Sequence, residues 1–125
     1  MTVTYGTQID GALVCTATSA GGKSGVSCRS VVIELMHFRL LAGTHDKDFL
    51  AADRRLQTEF AYQQPGLLRR TTARTKNGQW LVIDYWRTDG DADACAEQWD
   101  EDPIAQSFMD LIDRSSVQVQ RFWTV

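Results

Sequence analysis

The chain has 125 residues, 43% of them apolar and 23% charged, with a net charge of −3. That is one domain with a modest core and the composition of an ordinary soluble protein. The slight acidity gives no reason to expect nucleic acid or a membrane surface as partner, and no stretch approaches the roughly 20 apolar residues that span a bilayer.

Cys15, Cys28 and Cys95 are too few and too scattered for a disulfide scaffold or a zinc site. A reduced, cytoplasmic protein is the expectation, with a Cys15–Cys28 bridge left open. Ile9 to Ala20 carries Asp10 and lacks a basic leader, so it does not read as a signal peptide.

Residues 1–30 read as an accessory segment. Thr2–Tyr5 and Ala12–Thr18 are strand-like, with Asp10-Gly11 as a turn between them. Ser19 to Ser30, rich in glycine and serine, reads as a flexible linker. Its Gly21-Gly22-Lys23-Ser24 lacks the upstream glycine and following helix of a phosphate loop.

Residues 31–125 form the main unit. Val31 to Leu40 is a strand whose alternate sets both contain apolar residues, as in a sheet covered on both faces. Thr44 can cap a helix from Asp46 to Gln63, where Phe49, Ala52, Leu56 and Phe60 recur at helical spacing. Pro65-Gly66 ends it. Leu67–Thr75 and Gln79–Arg87 are strands folded back on Lys76-Asn77-Gly78, an Asn-Gly signal for a turn with two positive φ angles.

Thr88 or Asp89 can start a short helix to Trp99, and Asp102-Pro103 restarts it as cap and first helical residue. Its inward stripe runs from Ile104 through Phe108 to Leu111 and Ile112, before a last strand from Val117 to Val125. The order βαββαβ is the α+β ferredoxin-like arrangement, a four-stranded antiparallel sheet with its helices on one face. Val117, Val119, Trp123 and Val125, with Leu35 or Phe38, would then make the other face too apolar for water. Two sheets closing on each other in a symmetric homodimer would bury it.

Between Asp84 and Asp113 ten acidic residues stand against Arg87 alone, which reads as a solvated helical face. Asp89, Asp91, Asp93 and Asp100 imitate a calcium loop but miss its glycine and its closing glutamate. Arg69, Arg70, Arg74 and Lys76 make the second strand of the main unit basic. Without an RNA-binding aromatic motif, ion pairs to acidic helix faces are the simpler reading.

On these elements residues 31–125 resemble the antibiotic biosynthesis monooxygenase family of dimeric α/β-barrel proteins. The resemblance rests on Phe49-Leu50-Ala51-Ala52, on Gln64-Pro65-Gly66-Leu67-Leu68, and on Asp84-Tyr85-Trp86 followed by the helix broken at Asp102-Pro103 before Phe108. It implies a homodimer with a pocket between sheet and helices. The activities it implies include oxygenation of polycyclic aromatic compounds without metal or flavin. The haem-degrading branch needs an axial ligand on the broken helix, where this chain has Trp99 and Ile104.

The expectation is therefore a monooxygenase or related enzyme acting on a hydrophobic aromatic molecule, with no cofactor. His37 is the candidate catalytic base, because a histidine suits removal of a proton from an acidic carbon. The alternative for His37 is a structural histidine bonded across the dimer. Phe38, Tyr62, Trp86, Trp99 and Phe108 are the candidate pocket residues. The rival functions are a non-catalytic binding or structural dimer module and a regulatory small-molecule domain.

Overall fold

A computed structural model describes residues 2–5, 13–20 and 23–125. Strands β1 (Thr2–Tyr5), β2 (Leu13–Ala20) and β3 (Lys23–Ser30) form one antiparallel sheet in that order. Where a linker is expected, β3 pairs with β2 along its whole length, with Cys28 in register opposite Cys15. Val26, Ser27 and Cys28 are β-compatible residues, and a paired neighbour overrides the turn-forming character of the glycines and serines around them. The Asp10-Gly11 turn lies outside the described residues.

The main unit runs β4 (Val32–Leu40), α1 (Asp46–Glu59), β5 (Leu67–Arg74), β6 (Trp80–Trp86), α2 (Asp89–Trp99), α3 (Pro103–Met109) and β7 (Ile112–Trp123). Its sheet is antiparallel in the order β5-β6-β4-β7. This is the ferredoxin-like fold expected from the element order.

Several boundaries differ from the sequence reading. Helix α1 ends at Glu59 and a single 3-10 turn, Ala61–Gln63, completes the segment. Its N-cap is His45, which makes no side-chain capping bond, and the Thr44 N–H instead closes a turn onto the Leu41 carbonyl at 3.0 Å. The hairpin turns through Lys76-Asn77-Gly78 with positive φ at Gly78 alone, φ 87°. A third loop residue lets Asn77 stay right-handed and leaves the left-handed position to glycine. The Thr75 N–H to Gln79 carbonyl bond of 2.8 Å closes it.

Strand β7 begins at Ile112, five residues before the expected start. Arg39 pairs with Asp113 but His37 pairs with Gln118, so Arg114 to Val117 bulge out of the ladder. Polar groups hold the bulge. The Ser115 N–H donates to Asp113 Oδ1 at 3.1 Å, and the Arg39 N–H donates to Ser116 Oγ at 2.8 Å.

The expected caps of the broken helix are present. Thr88 Oγ1 accepts from the Asp91 N–H at 3.1 Å, and Asp102 Oδ1 accepts from Ile104 and Ala105 at 2.9 and 3.0 Å. These bonds satisfy N–H groups that a helix start leaves without partners.

The core lies between the helices and one sheet face. Phe38, Phe49, Leu56, Trp80, Phe108 and Ile112 are almost wholly buried there. Phe49 is the hub, with ring centroids 4.6 Å from Trp80, 5.2 Å from Phe108 and 5.5 Å from Phe38. Each such ring stabilises the fold by about 1.5–3 kcal/mol through burial.

Register also settles which residues share a face. Val119 opposes Met36 and Trp123 opposes Val32, so both lie on the helix side of β7 with Val117, contrary to the expectation for the open face. Val125 lies beyond the strand, and Phe38 is in the core. The open face instead carries Ile33, Leu35 and His37 of β4, their partners Leu81, Ile83 and Tyr85 of β6, and Phe122 of β7. No helix among the described residues is long and apolar enough to cross a membrane.

Candidate functional site

A pocket of about 400 Å³ opens between the helix-side face of the sheet and the pair α2–α3. Its floor is Glu34 and Met36 of β4, Asp84 and Trp86 of β6, and Val117 and Val119 of β7. Ala92, Cys95, Ala96 and Trp99 of α2, Asp100 just after it and Met109 of α3 form the wall. Small residues at 92 and 96 keep the helix backbone near the sheet while leaving room beside the two tryptophans.

Four charged residues cross the sheet in one row. Arg70 opposes Asp84, Asp84 opposes Glu34, and Glu34 opposes Arg121, so the signs run plus, minus, minus, plus from β5 to β7. Arg121 Nη2 bonds Glu34 Oε2 at 3.0 Å. Arg70 is committed elsewhere. Its Nη2 meets Asp53 Oδ1 at 2.8 Å with both side chains buried, while its Nε stands 3.7 Å from Asp84 Oδ1.

Asp84 Oδ1 and Trp86 Nε1 are buried at this pocket without a hydrogen-bond partner. Burial first, then repulsion by Glu34 and Asp53, lifts the Asp84 carboxyl from 3.8 to about 7 against the pull of Arg70. An acceptor of that basicity in an apolar pocket can take a proton from a bound molecule near neutral pH. Burial first, then the Asp84 and Glu34 carboxylates, push the Cys95 thiol up to about 12, so it is a neutral wall and no nucleophile.

The candidates read from the sequence divide. Trp86 and Trp99 both line the pocket. Phe108 packs behind Trp99 at a T-shaped 6.0 Å and belongs to the core, as does Phe38. Tyr62 lies away from the pocket on the turn after α1, 44% exposed, and its hydroxyl accepts the Arg70 N–H at 2.9 Å. His37 projects from the opposite face of the sheet, in register with Leu81 and Gln118. The structure does not bring it to Trp86 or Trp99, because strand alternation separates it from Met36 and Phe38.

Sequence reasoning missed Glu34 and Asp84. The signal was alternation: Asp84 is the lone carboxylate in the set Trp80, Val82, Asp84, Trp86, and Glu34 is the lone one in Val32, Glu34, Met36, Phe38. The ion pairs expected for the basic strand exist, Arg70 to Asp53 and Arg74 to Asp46, both reaching α1. Among the described residues no three His, Cys, Asp or Glu side chains gather in a metal-binding group.

No protein-family pattern matches the chain, and no curated protein matches it. Solved structures do. A mutant form of SnoaB, a cofactor-independent oxygenase from Streptomyces nogalater, aligns with a TM-score of 0.61 at 20% identity over 74% of this chain and 90% of that one. A candidate antibiotic biosynthesis monooxygenase from Chloroflexus aurantiacus aligns at 0.56 and 15% identity, over 76% and 93%. PA3566 of Pseudomonas aeruginosa aligns at 0.59 and 14%, over 77% and 95%. At these identities the likeness is one of backbone. The chain has the α+β ferredoxin-like fold of the antibiotic biosynthesis monooxygenase-like structures.

Proposed function

We propose that this chain is a cofactor-independent oxygenase for a hydrophobic aromatic molecule, with Asp84 as base and Trp86 and Trp99 as walls of its pocket. The observation that carries the reading is that two residues lining one mostly apolar pocket, Asp84 and Trp86, each hold a buried polar atom, Oδ1 and Nε1, that makes no hydrogen bond. A flat ring system bearing a carbonyl and an activated methylene matches both. The carbonyl oxygen would accept from the indole N–H, and the methylene would lie at the carboxylate.

Asp84 takes one proton from the methylene. The carbanion gives one electron to molecular oxygen, and the radical pair combines to form a C–O bond. The resulting peroxide recovers the proton from Asp84. Loss of the second C–H proton then breaks the O–O bond, leaving a ketone and water. The balance is one methylene and one O₂ to one carbonyl and one H₂O, with Asp84 unchanged. SnoaB is a cofactor-independent oxygenase with this fold, which supports extending that chemistry to the present pocket.

A second copy of the chain is part of the proposal. The open face presents Ile33, Leu35, Leu81, Ile83, Tyr85 and Phe122, a contiguous apolar set in register. Covering it with a second sheet would remove that surface from water and form a homodimer. His37 would then sit within the covered face as a structural histidine.

The test is tryptophan fluorescence during titration with anthrones, polycyclic phenols and haem, with oxygen uptake followed alongside. Saturable quenching with oxygen uptake that Asp84→Asn abolishes, while quenching persists, is the expected result. Quenching without uptake by any compound would leave a binding module and defeat the oxygenase. Sedimentation showing a monomer at micromolar concentration would defeat the dimer.

A further inference from the structure

We propose that Glu34 is a positioning residue for Asp84: clamped by Arg121, it keeps its charge and directs the proton of the pocket's carboxylate pair onto Asp84. The inference rests on Asp84 being the base of the pocket.

The two carboxylates are direct cross-strand partners on one face, so their Cβ atoms lie about 4.5–5.5 Å apart. At that separation both can be charged only at a cost, and a proton settles on whichever is served less well by cations. The row is built unequally. Arg121 donates to Glu34 Oε2 twice, from Nε at 3.3 Å and from Nη2 at 3.0 Å.

The guanidinium of Arg121 is itself anchored. Its Nη1 donates to Asp93 at 2.9 Å and to Asp89 at 3.3 Å at the start of α2. Trp123 Nε1 in turn donates to both Asp89 oxygens, at 2.9 and 3.0 Å. Glu34 is therefore held in place by a cation that is held in place.

Asp84 has no such service. Arg70, its neighbour on β5, gives its close contact to Asp53 of α1 and stays 3.7 Å away. Across the pocket lie Cys95 of α2 and Asp100 just beyond that helix, and from β4 it is faced by Glu34 itself. Of these groups Arg70 alone attracts a negative charge on Asp84. The asymmetry comes from Asp53 drawing Arg70 away at one end while Arg121 closes on Glu34 at the other. Its consequence is a single basic site whose basicity, raised first by burial, is raised further by the charge opposite it.

The experiment is carboxyl carbon NMR of the full chain labelled at aspartate and glutamate, assigned with Asp84→Asn and Glu34→Gln. At pH 6 the Asp84 carboxyl is expected as the neutral acid and Glu34 as the carboxylate. In Glu34→Gln, Asp84 is expected to release its proton at a lower pH than in the wild type, and the rising limb of any turnover profile should move with it. A proton found on Glu34 in the wild type overturns the inference, and so does an Asp84 midpoint that Glu34→Gln leaves in place. The wild-type spectrum decides even where the variant does not fold. Oxygen uptake reads the oxygenase separately. Protons placed as stated with no turnover of any compound would defeat that reading and leave this one standing.

Discussion

Arg70 reaches from β5 to Asp53 on α1, where the two charges meet at 2.8 Å with side-chain exposures of 3% and 9%. Gln57 and Thr72 accept further hydrogen bonds from the same guanidinium at 3.3 Å, and its centre lies 5.7 Å over the Phe108 ring. This is one of the ties between the first helix and the sheet beneath it. A buried pair of this kind adds little over an apolar one, but removing one member strands the other charge. Arg70→Met should therefore cost about 3–5 kcal/mol. Urea denaturation of the variant checks it, and the double variant Arg70→Met with Asp53→Leu should recover part of the loss.

Asp84 makes stability depend on pH in a direction opposite to that of most carboxylates. Its proton is held to about 7 in the folded chain, against 3.8 as the ordinary value. Between those limits the folded state binds a proton that the unfolded chain has released, so this contribution is complete below about 4 and fades as pH rises. At 1.4 kcal/mol per pH unit the contribution is at most about 4 kcal/mol. Asp84→Asn cannot titrate and should flatten this part of the profile, making the variant the more stable chain at pH 8. Parallel urea midpoints for the two proteins between pH 4.5 and 8 would refute the assignment.

Gly66 is fixed by both backbone and neighbour. Its φ of 85° lies in the left-handed region, and an added Cβ would collide with the Asp91 carboxylate. Its carbonyl meanwhile accepts the Arg87 N–H at 2.8 Å, tying the start of β5 to the end of β6. Gly66→Ala should lose at least about 1–2 kcal/mol, the order of a left-handed non-glycine residue, and should push Asp91 aside. Pairing it with Asp91→Ala removes the clash but not the strain. Thermal unfolding of both should show a partial recovery, and full recovery would mean that the backbone angle costs nothing.

The fold was legible because its signals are local and agree with one another. Asp102-Pro103 announces a helix start through chemistry confined to three residues, and the cap is present as read. Lys76-Asn77-Gly78 announces a reversal, though not which residues take positive φ, since that depends on loop length rather than on the dipeptide. The pocket was only half legible. Trp86 and Trp99 could be picked as ring walls at the ends of elements, but which face each strand residue takes is fixed by register. The bulge between Asp113 and Gln118 is invisible to a pattern of period two. Register is what puts Val119 and Trp123 on the helix side of the sheet and His37 on the face away from Asp84. A histidine advertises its basicity in the sequence, whereas an aspartate acquires it only from burial and from the carboxylate opposite.

Cys95 gives a test of the electrostatics that involves no ligand. It lies on the pocket wall facing Asp84 and Glu34, and burial together with those two carboxylates pushes its thiol to about 12. Thiolate is the reactive form, so at pH 8 Cys95 should alkylate with iodoacetamide far more slowly than a free thiol with its ordinary value near 8.5. Mass spectrometry of the peptide bearing Cys95 measures the rate without interference from Cys15 and Cys28. If the carboxylates contribute as the geometry implies, Asp84→Asn should accelerate the labelling at pH 8 by a few-fold while burial keeps it below the free-thiol rate. Labelling of the native protein at the free-thiol rate would mean that solvent reaches the wall freely, and the raised basicity of Asp84 would lose its main cause, because the two groups share the same pocket.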